Sequence, residues 1–286
     1  MSVRRQALAA SCGLVWFLLQ SDAFGQDQSA VKQEPPIQDN SFLVEEAYNQ
    51  ERGVVQHINS FSRMWNSKDW GYSFTQEWPA PGNWRHQLSY TLVGMHAGDY
   101  SGTGGGMGDA VFNYRYQLVG TGESRVAFSP RLSVMFPTGD ATKGRGQGAV
   151  GVQTNLPLSI VLHRRVVTHW NAGSTFVPHA QNADHSRASS VGYSFGQSVI
   201  FVAHSRLNLM LETVSNSFQS VMGPGKTEWS RLAYMSPGVR WAYNFKSGLQ
   251  IVPGVAMPIG IGPSAGERGV FLYLSFEHPF SKSAER

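Results

Sequence analysis

The feature that most constrains this chain is a segment of about ten residues with alternating apolar and polar side chains, which recurs along the sequence. In residues 108–119, Phe112 and Tyr114 share one face, whereas Asn113 and Arg115 share the other. Side chains of a β-strand point alternately to its two faces, so each segment predicts a strand between an aqueous and an apolar environment. The predicted strands are 53–63, 69–78, 84–94, 108–119, 125–137, 149–162, 166–176, 190–204, 207–217, 230–245, 249–258 and 269–280.

After the first, the connections between these strands alternate in length. Short turns such as 163–165 and 205–206 are followed by longer loops such as 138–148, 177–189 and 218–229. An even number of strands, with short turns at one end and long loops at the other, is typical of bacterial outer-membrane proteins. The sequence therefore predicts an all-β fold, a transmembrane antiparallel up-and-down β-barrel of about twelve strands.

Composition agrees with a chain of strands and turns rather than of helices. Charged residues make up 15% of the sequence and aromatic residues 12%, and there are 31 glycines. Exposed helices usually carry many Lys and Glu residues, which this chain lacks. Basic residues are neither clustered nor interleaved with aromatic ones, so we expect no nucleic-acid partner.

The sequence divides into four parts. Residues 1–25 predict a cleaved signal peptide, with a basic start, an apolar stretch and small residues before the cut, so that the chain is exported to the periplasm. Residues 26–52 predict a polar periplasmic leader with a short helix that starts at Asn40 or Ser41, and 53–280 the barrel in the cell outer membrane. Residues 281–286 form a polar tail. The one cysteine, Cys12, lies in the signal peptide, which leaves no thiol for catalysis, metal binding or a disulfide.

Eight side chains fall on the predicted inner face of the barrel and are the candidate lumen-lining residues. Two interpretations remain open for them: ion pairs that fill the lumen, or a narrow polar path that selects solutes. Because eight-stranded barrels are filled by side chains and those of sixteen strands leave a wide channel, about twelve strands predict a restricted pore. The eight residues are Glu77, Asp109, Arg115, Arg131, His169, Asn171, Glu212 and Arg240.

The sequence gives no pattern for catalysis, a metal or a cofactor. A His two residues before a Ser would place both on one face of a strand, as in barrel phospholipases, and none of the nine histidines has this spacing. His169 and Asn171 share a face but have no nucleophile nearby on their strand. His179, Asp184 and His185 match no metal-site spacing. The Gly-rich stretch 102–109 precedes a strand rather than a helix, unlike phosphate-binding loops.

Three stretches resemble a known family. "SFLVEEAYNQERGVVQHI", "PRLSVMFPTGDATKGRGQGAVGVQTNLPLS" and "THWNAGSTFVP" are similar to the outer-membrane barrels grouped under the meta-pathway of phenol degradation, as are the "PTGD" turn and "GMGDAVFNYRYQL". The resemblance covers residues 41–280 and implies a porin-like transporter that passes small aromatic or hydrophobic solutes inward. It implies no site residues. The tail after Phe280 departs from the usual terminal aromatic residue of such barrels.

We therefore expect an outer-membrane channel for passive uptake of small solutes, and not an enzyme. Its expected partners are the solute, outer-membrane lipid, lipopolysaccharide and the barrel-assembly machinery. Two alternatives stay open at this point: a barrel-embedded hydrolase of lipid or lipopolysaccharide, and a closed structural or surface-binding barrel.

Overall fold

A computed structural model describes residues 37, 39–80, 83–98 and 104–280, and these form an antiparallel barrel of twelve strands. The predicted signal peptide, the first part of the predicted leader and the tail 281–286 lie outside the described residues. The strands are β1 Val54–Met64, β2 Trp70–Pro79, β3 His86–His96, β4 Gly106–Met107 and Ala110–Tyr116, β5 Val126–Phe128 and Arg131–Phe136, β6 Gly151–Asn155 and Leu158–His163, β7 Val166–Gln181, β8 Arg187–His204, β9 Leu207–Gly223, β10 Lys226–Trp241 and Tyr243–Asn244, β11 Gln250–Ala256 and Ile259–Gly260, and β12 Gly269–Pro279.

The barrel is closed by the pairing of its first and last strands. β1 and β12 run antiparallel in continuous register, from Val54 opposite Pro279 to Met64 opposite Gly269. Each other strand pairs with its neighbours along the chain. Closure matters because an unpaired strand edge in a bilayer would leave backbone groups without hydrogen bonds.

Prolines mark three of the five interruptions in the strands. Pro130, Pro157 and Pro258 lie at the breaks in β5, β6 and β11. Proline has no backbone N–H to donate to a ladder, so a strand breaks there or makes an irregular contact. The Pro130 carbonyl still accepts a hydrogen bond from the Tyr116 N–H at 3.0 Å, which keeps the two strands together.

The two faces of the strands differ as the alternation predicts. On β12, Tyr273 and Ser275 are 4% and 1% exposed, whereas Leu272, on the other face of the same strand, is 47% exposed. Phe112 and Leu132, on β4 and β5, are exposed in the same way. The polar face is the buried one, so the barrel turns its polar side chains inward and an apolar belt outward, as a bilayer requires.

Two of the predicted long loops are wrong, because the chain continues there as strand. β7 and β8 stay paired up to Gln181 opposite Arg187, across most of the loop predicted at 177–189. β9 and β10 stay paired up to Gly223 opposite Lys226, inside the loop predicted at 218–229, and Gly225 makes the tight turn with a φ of 67°. A strand of 9–11 residues is enough to cross a bilayer. Beyond that length both faces meet water, so the alternation that reveals a strand disappears.

We call the end with the short connections the short-turn end and the other the long-loop end. The short connections are 80–85, 117–125, 164–165, 205–206 and 245–249, and β1 begins and β12 finishes at the same end. Two 3-10 turns, Ala141–Lys143 and Gly262–Ser264, lie in connections at the long-loop end. None of the helical turns in the described part of the chain is long and apolar enough to cross a membrane.

Candidate functional site

Residues 39–50, which we call the N-terminal segment, lie inside the barrel. The prediction of a helix starting at Asn40 or Ser41 is wrong, since residues 42–44 form bends and no helix follows before β1. The expectation that this stretch lies in the periplasm is also wrong for these residues. Asp39, Ser41, Val44 and Ala47 are all 3% exposed or less. They are buried because inward side chains from strands all around the barrel contact them.

The segment crosses the lumen without regular secondary structure and is held by side chains instead of a neighbouring strand. Its backbone N–H groups at every second residue from Leu43 to Asn49 donate to acceptors on the inner wall. A polar lumen thus supplies the hydrogen bonds that a buried backbone requires. The bonds run from Leu43 to Glu212 on β9 (3.1 Å), from Glu45 to Asn171 on β7 (2.9 Å), from Ala47 to Ser159 on β6 (2.8 Å) and from Asn49 to Gln117 on β4 (2.9 Å).

Asp39 anchors the start of the segment. Its carboxylate accepts hydrogen bonds from the Gln56 amide at 2.6 Å and from the Tyr273 hydroxyl at 2.6 Å, and a further one from Ser275. Arg240 donates to the Asp39 backbone carbonyl at 2.7 Å. Burial raises the pKa of the Asp39 carboxyl, and the Arg240 charge and the three donors partly offset this effect.

Glu45 lies at the middle of the segment between two arginines. Its carboxylate oxygens lie 3.2 Å from Arg115 Nη2 and 2.9 Å from Arg131 Nη2. Burial acts to raise the pKa of Glu45, but the guanidinium groups of Arg131 and Arg115 outweigh it, so the pKa is lowered and the carboxylate stays charged. The two predicted lumen-lining arginines therefore bind the segment as well as the wall.

Phe42 supplies the apolar part of the anchor. Its ring packs 5.7 Å from Phe271 and 5.5 Å from Tyr273, measured between ring centroids. On the neighbouring strands β10 and β11, the ring lies against Gly238 and Gly254, where an added Cβ would come within 2.6 Å and 2.5 Å of ring carbons. Glycine at these two strand positions is what leaves room for the ring.

The structure places the eight candidate lumen residues on the inner face, with different contacts. Glu77 accepts a hydrogen bond from Gln87 at 2.7 Å on the neighbouring strand. Asp109 instead holds a connection at the long-loop end, since its carboxylate accepts from the Gly139 N–H at 3.0 Å and the Gln147 N–H at 2.7 Å. The other six, Arg115, Arg131, His169, Asn171, Glu212 and Arg240, lie against the N-terminal segment or the residues that bind it.

His169 has a neighbour that same-strand reasoning missed. Its Nδ1 lies 2.7 Å from the Oγ of Ser159, which is on the adjacent strand β6. The two side chains are 2% and 1% exposed, and Tyr48 packs edge-on against the His169 ring. Cross-strand pairing brings them together, which spacing along one strand cannot show. With Ala47 donating to the same Oγ, the pair serves to hold the segment.

Cavities lie on both sides of the N-terminal segment. Toward the short-turn end is one of about 330 Å³, lined by Tyr48, Trp84 and Glu123 among others. Toward the other end are two of about 220 and 240 Å³, which both contact Leu43, Glu45 and Arg131. Ser, Thr and Asn side chains form most of the remaining wall of these two cavities. The segment thus separates the interior into two regions.

His179, Asp184 and His185, whose spacing matches no metal site, lie near the tip of the β7–β8 hairpin. His179 sits at the irregular pairing near the end of β7, and His185 lies in the turn with its Nδ1 2.7 Å from Gln181 Nε2. No group of three His, Cys, Asp or Glu side chains that could hold a metal ion occurs among the described residues.

Comparison with known proteins identifies the fold. No protein-family model matches the sequence, and no curated protein matches it. The structure is similar to the COG4313 outer membrane channel from Pseudomonas putida F1, with a TM-score of 0.56 and 12% identity over 81% of this chain and 97% of that one. It is also similar to the NanC porin, with a TM-score of 0.50 and 9% identity over 77% of this chain and 98% of that one. These likenesses show the barrel fold, and the resemblance to the phenol meta-pathway family stays a prediction from sequence.

Proposed function

We propose that the protein is an outer-membrane channel for passive movement of small solutes, and that the N-terminal segment sets its narrowest point. The observation that carries this proposal is a polar lumen with water-sized space on both sides of a segment held by side-chain contacts. A barrel that served only as a scaffold would have no need of a chain segment held inside a polar lumen. The channel and porin named among the similar structures support the same role.

The outer-membrane location rests on the barrel and on the predicted signal peptide. An outward apolar belt around a closed sheet is stable in a bilayer, and bacterial barrels of this kind place their short turns toward the periplasm. The short-turn end, and with it the start of β1 and the end of β12, would then face the periplasm. The cavities that share Leu43, Glu45 and Arg131 would receive solute from outside the cell.

The solutes we propose are small aromatic compounds that carry a hydroxyl group. The sequence resemblance is the reason to propose an aromatic ring. The cavity wall is the reason to propose a hydroxyl group, because Phe42 and Tyr273 line the same cavity as four side chains that can donate and accept hydrogen bonds. These are Ser60, Ser73, Thr75 and Thr91. A simple phenol fits both requirements, because its ring can pack on apolar atoms while its hydroxyl keeps a hydrogen bond.

Solute influx into liposomes tests the proposal. Vesicles that contain the purified full chain should take up phenol-sized polar solutes faster than empty vesicles. A chain lacking residues 39–50 should take them up faster still, and should also admit larger solutes. Folding of both proteins is checked by the heat-dependent electrophoretic migration of intact barrels. Influx equal to that of empty vesicles for both folded proteins would overturn the channel proposal.

A hydrolase is the alternative that the Ser159–His169 pair raises. The pair is sealed behind Ala47 and Tyr48, and among the described residues no carboxylate forms a hydrogen bond with the His169 ring. A nucleophile must reach its substrate, so this pair fits a structural role better. Release of fatty acid from labelled lipid that is lost in Ser159→Ala would favour the hydrolase instead.

A further inference from the structure

Basic side chains occupy every connection at the short-turn end. Each of the five short connections carries at least one, and so does the residue pair that leads into β1. Acidic residues are fewer at this end: Glu123 lies in one of these connections, Glu51 precedes β1 and Glu277 lies near the end of β12. The basic residues, which we call the basic ring, are Arg52, Arg85, Arg125, Arg164, Arg165, Arg206 and Lys246.

The basic ring borders directly on the apolar belt. Arg125 is followed by Val126, Arg206 by Leu207, and Lys246 is preceded by Phe245. The three apolar side chains are 42%, 37% and 50% exposed, respectively. A charge beside an exposed apolar side chain at the end of a transmembrane strand lies where lipid headgroups meet acyl chains.

Trp84 and Arg85 show the same arrangement in the β2–β3 connection. The guanidinium carbon of Arg85 lies 5.2 Å from the centroid of the Trp84 ring, and Trp84 is 36% exposed. Tryptophan is enriched at the interface between a membrane and water, where its ring is at headgroup level. The indole ring of Trp84 therefore marks the depth at which Arg85 meets the bilayer.

The long-loop end is different in charge. Its connections carry Asp69, Asp140, Asp184 and Glu267 together with basic residues, and Lys143 pairs with Asp140 at 3.1 Å. The β7–β8 and β9–β10 hairpins also extend there beyond the length that a bilayer needs. Basic residues thus outnumber acidic ones at the short-turn end, whereas both kinds occur together in the connections of the long-loop end.

We propose that the basic ring binds anionic phospholipid headgroups of the leaflet at the short-turn end. Each negatively charged phosphate would lie between a basic residue of one connection and the apolar side chain next to it. Phosphatidylglycerol has the required chemistry, since its phosphate keeps a net charge that the zwitterionic phosphatidylcholine lacks. Each Lys or Arg near an anionic membrane surface adds to the attraction, so a ring of them selects anionic lipid.

Lipid selection in nanodiscs tests this proposal with the full chain. Spin-labelled phosphatidylglycerol or phosphatidylcholine is added at trace level, and the motionally restricted fraction gives the relative association of each lipid. We expect a preference for phosphatidylglycerol of about threefold or more at low ionic strength, which falls as salt screens the charges. Equal association of the two lipids at low ionic strength would overturn the proposal, whatever the behaviour of any variant.

A pair of triple variants locates the effect. Arg125→Gln, Arg165→Gln and Lys246→Gln together remove three charges of the basic ring. Arg187→Gln, Lys226→Gln and Arg231→Gln remove three exposed charges at the long-loop end. Nanodiscs present both lipids in both leaflets, so the comparison does not depend on orientation. We expect the first variant to lose the preference and the second to keep it. Equal loss in both would overturn the proposal.

Discussion

The Oε1 atom of Glu45 lies 2.9 Å from Nη2 of Arg131, so a carboxylate of the N-terminal segment pairs with a guanidinium of the barrel wall. The pair is partly shielded, with side chains 28% and 15% exposed. Substitution of Glu45 or of either arginine partner should therefore change how strongly the N-terminal segment is held.

Glu45→Gln should loosen the segment without disturbing the barrel. The change leaves Arg115 and Arg131 without their carboxylate partner, which we expect to weaken the held state by about 1–3 kcal/mol. In planar bilayers the variant should show more frequent openings to a higher conductance. Glu123→Gln, an exposed residue at the short-turn end, is the control and should behave like the unchanged protein. Identical traces for all three would mean that the ion pairs do not hold the segment.

The conductance should rise with pH because of Glu46. Burial, reinforced by the charge of Asp39, raises the pKa of Glu46 well above its ordinary value of 4.5. A carboxyl whose pKa is raised in the held state stabilises that state fully at pH below 4.5 and loses this contribution as pH rises through the raised pKa. Alkaline buffer should therefore favour release, as seen by a rise in open-channel probability.

Glu45 acts in the opposite direction at acidic pH. Its pKa is lowered in the held state, so its stabilising contribution is present above the ordinary value of 4.5 and is lost as pH falls through the lowered pKa. Glu46→Gln should reduce the alkaline rise in conductance, since Asp39, whose pKa burial also raises, keeps a part of it, and should leave the acidic limb unchanged. An alkaline rise of the same size in Glu46→Gln would assign it to another group.

Gly254→Val should expel Phe42 from its site. The first added carbon alone would lie 2.5 Å from the Phe42 ring, closer than unbonded carbon atoms approach, so the ring must move away from Phe271 and Tyr273. The quantity to measure is the hydrogen-exchange rate of residues 39–50, which should increase. Gly223→Val is the matched control, because no atom lies within 4 Å of the carbon it would add. Slow exchange in both variants would show that Phe42 is not an anchor.

Asp109→Ala should free the connection that Asp109 holds. Both carboxylate oxygens accept backbone N–H groups of that connection, and removing them leaves two donors unsatisfied. Trypsin should then cut faster after Lys143 and Arg145, which lie between the two donors in sequence. Asp184→Ala, in the β7–β8 turn, should leave this cleavage rate unchanged. An unchanged rate in Asp109→Ala would place the restraint elsewhere.

Leu274→Arg should impair insertion into the membrane. Leu274 is on the outward face at the middle of β12, and an arginine on the lipid face near the bilayer centre costs about 2–4 kcal/mol. Thr91→Arg adds the same side chain on the inner face, beside the cavity toward the long-loop end, and should still fold. The yield of heat-modifiable barrel after refolding into vesicles measures both. Equal yields would contradict the assignment of the two faces.

The sequence predicted the barrel and the inner face well, because each depends on a local pattern. Leu272 and Tyr273 alternate along the strand, and their environments can be read from neighbours two residues away. Arg131 and Glu212 could be placed on the inner face in the same way. The partners of the inner residues could not be predicted, since strands of different parts of the chain bring them together.

The N-terminal segment shows why the rest was missed. Its polar residues can form hydrogen bonds to a polar lumen as well as to water, so the composition of the segment does not show which of the two surrounds it. Its anchors are also far away in sequence, as Asp39 and Ser275 are 236 residues apart. The helix expected near Asn40 rested on local capping, and the Arg240 and Asp39 contacts override it.

Single-channel conductance of the full chain and of the chain lacking residues 39–50 tests whether the N-terminal segment narrows the lumen. Both proteins are refolded, shown to be intact barrels, and inserted into the same planar bilayers. If the N-terminal segment occupies the lumen and sets its narrowest point, the shortened chain will show a conductance several times that of the full chain, with fewer closures. Equal conductance in the two folded proteins would show that the segment does not restrict the lumen.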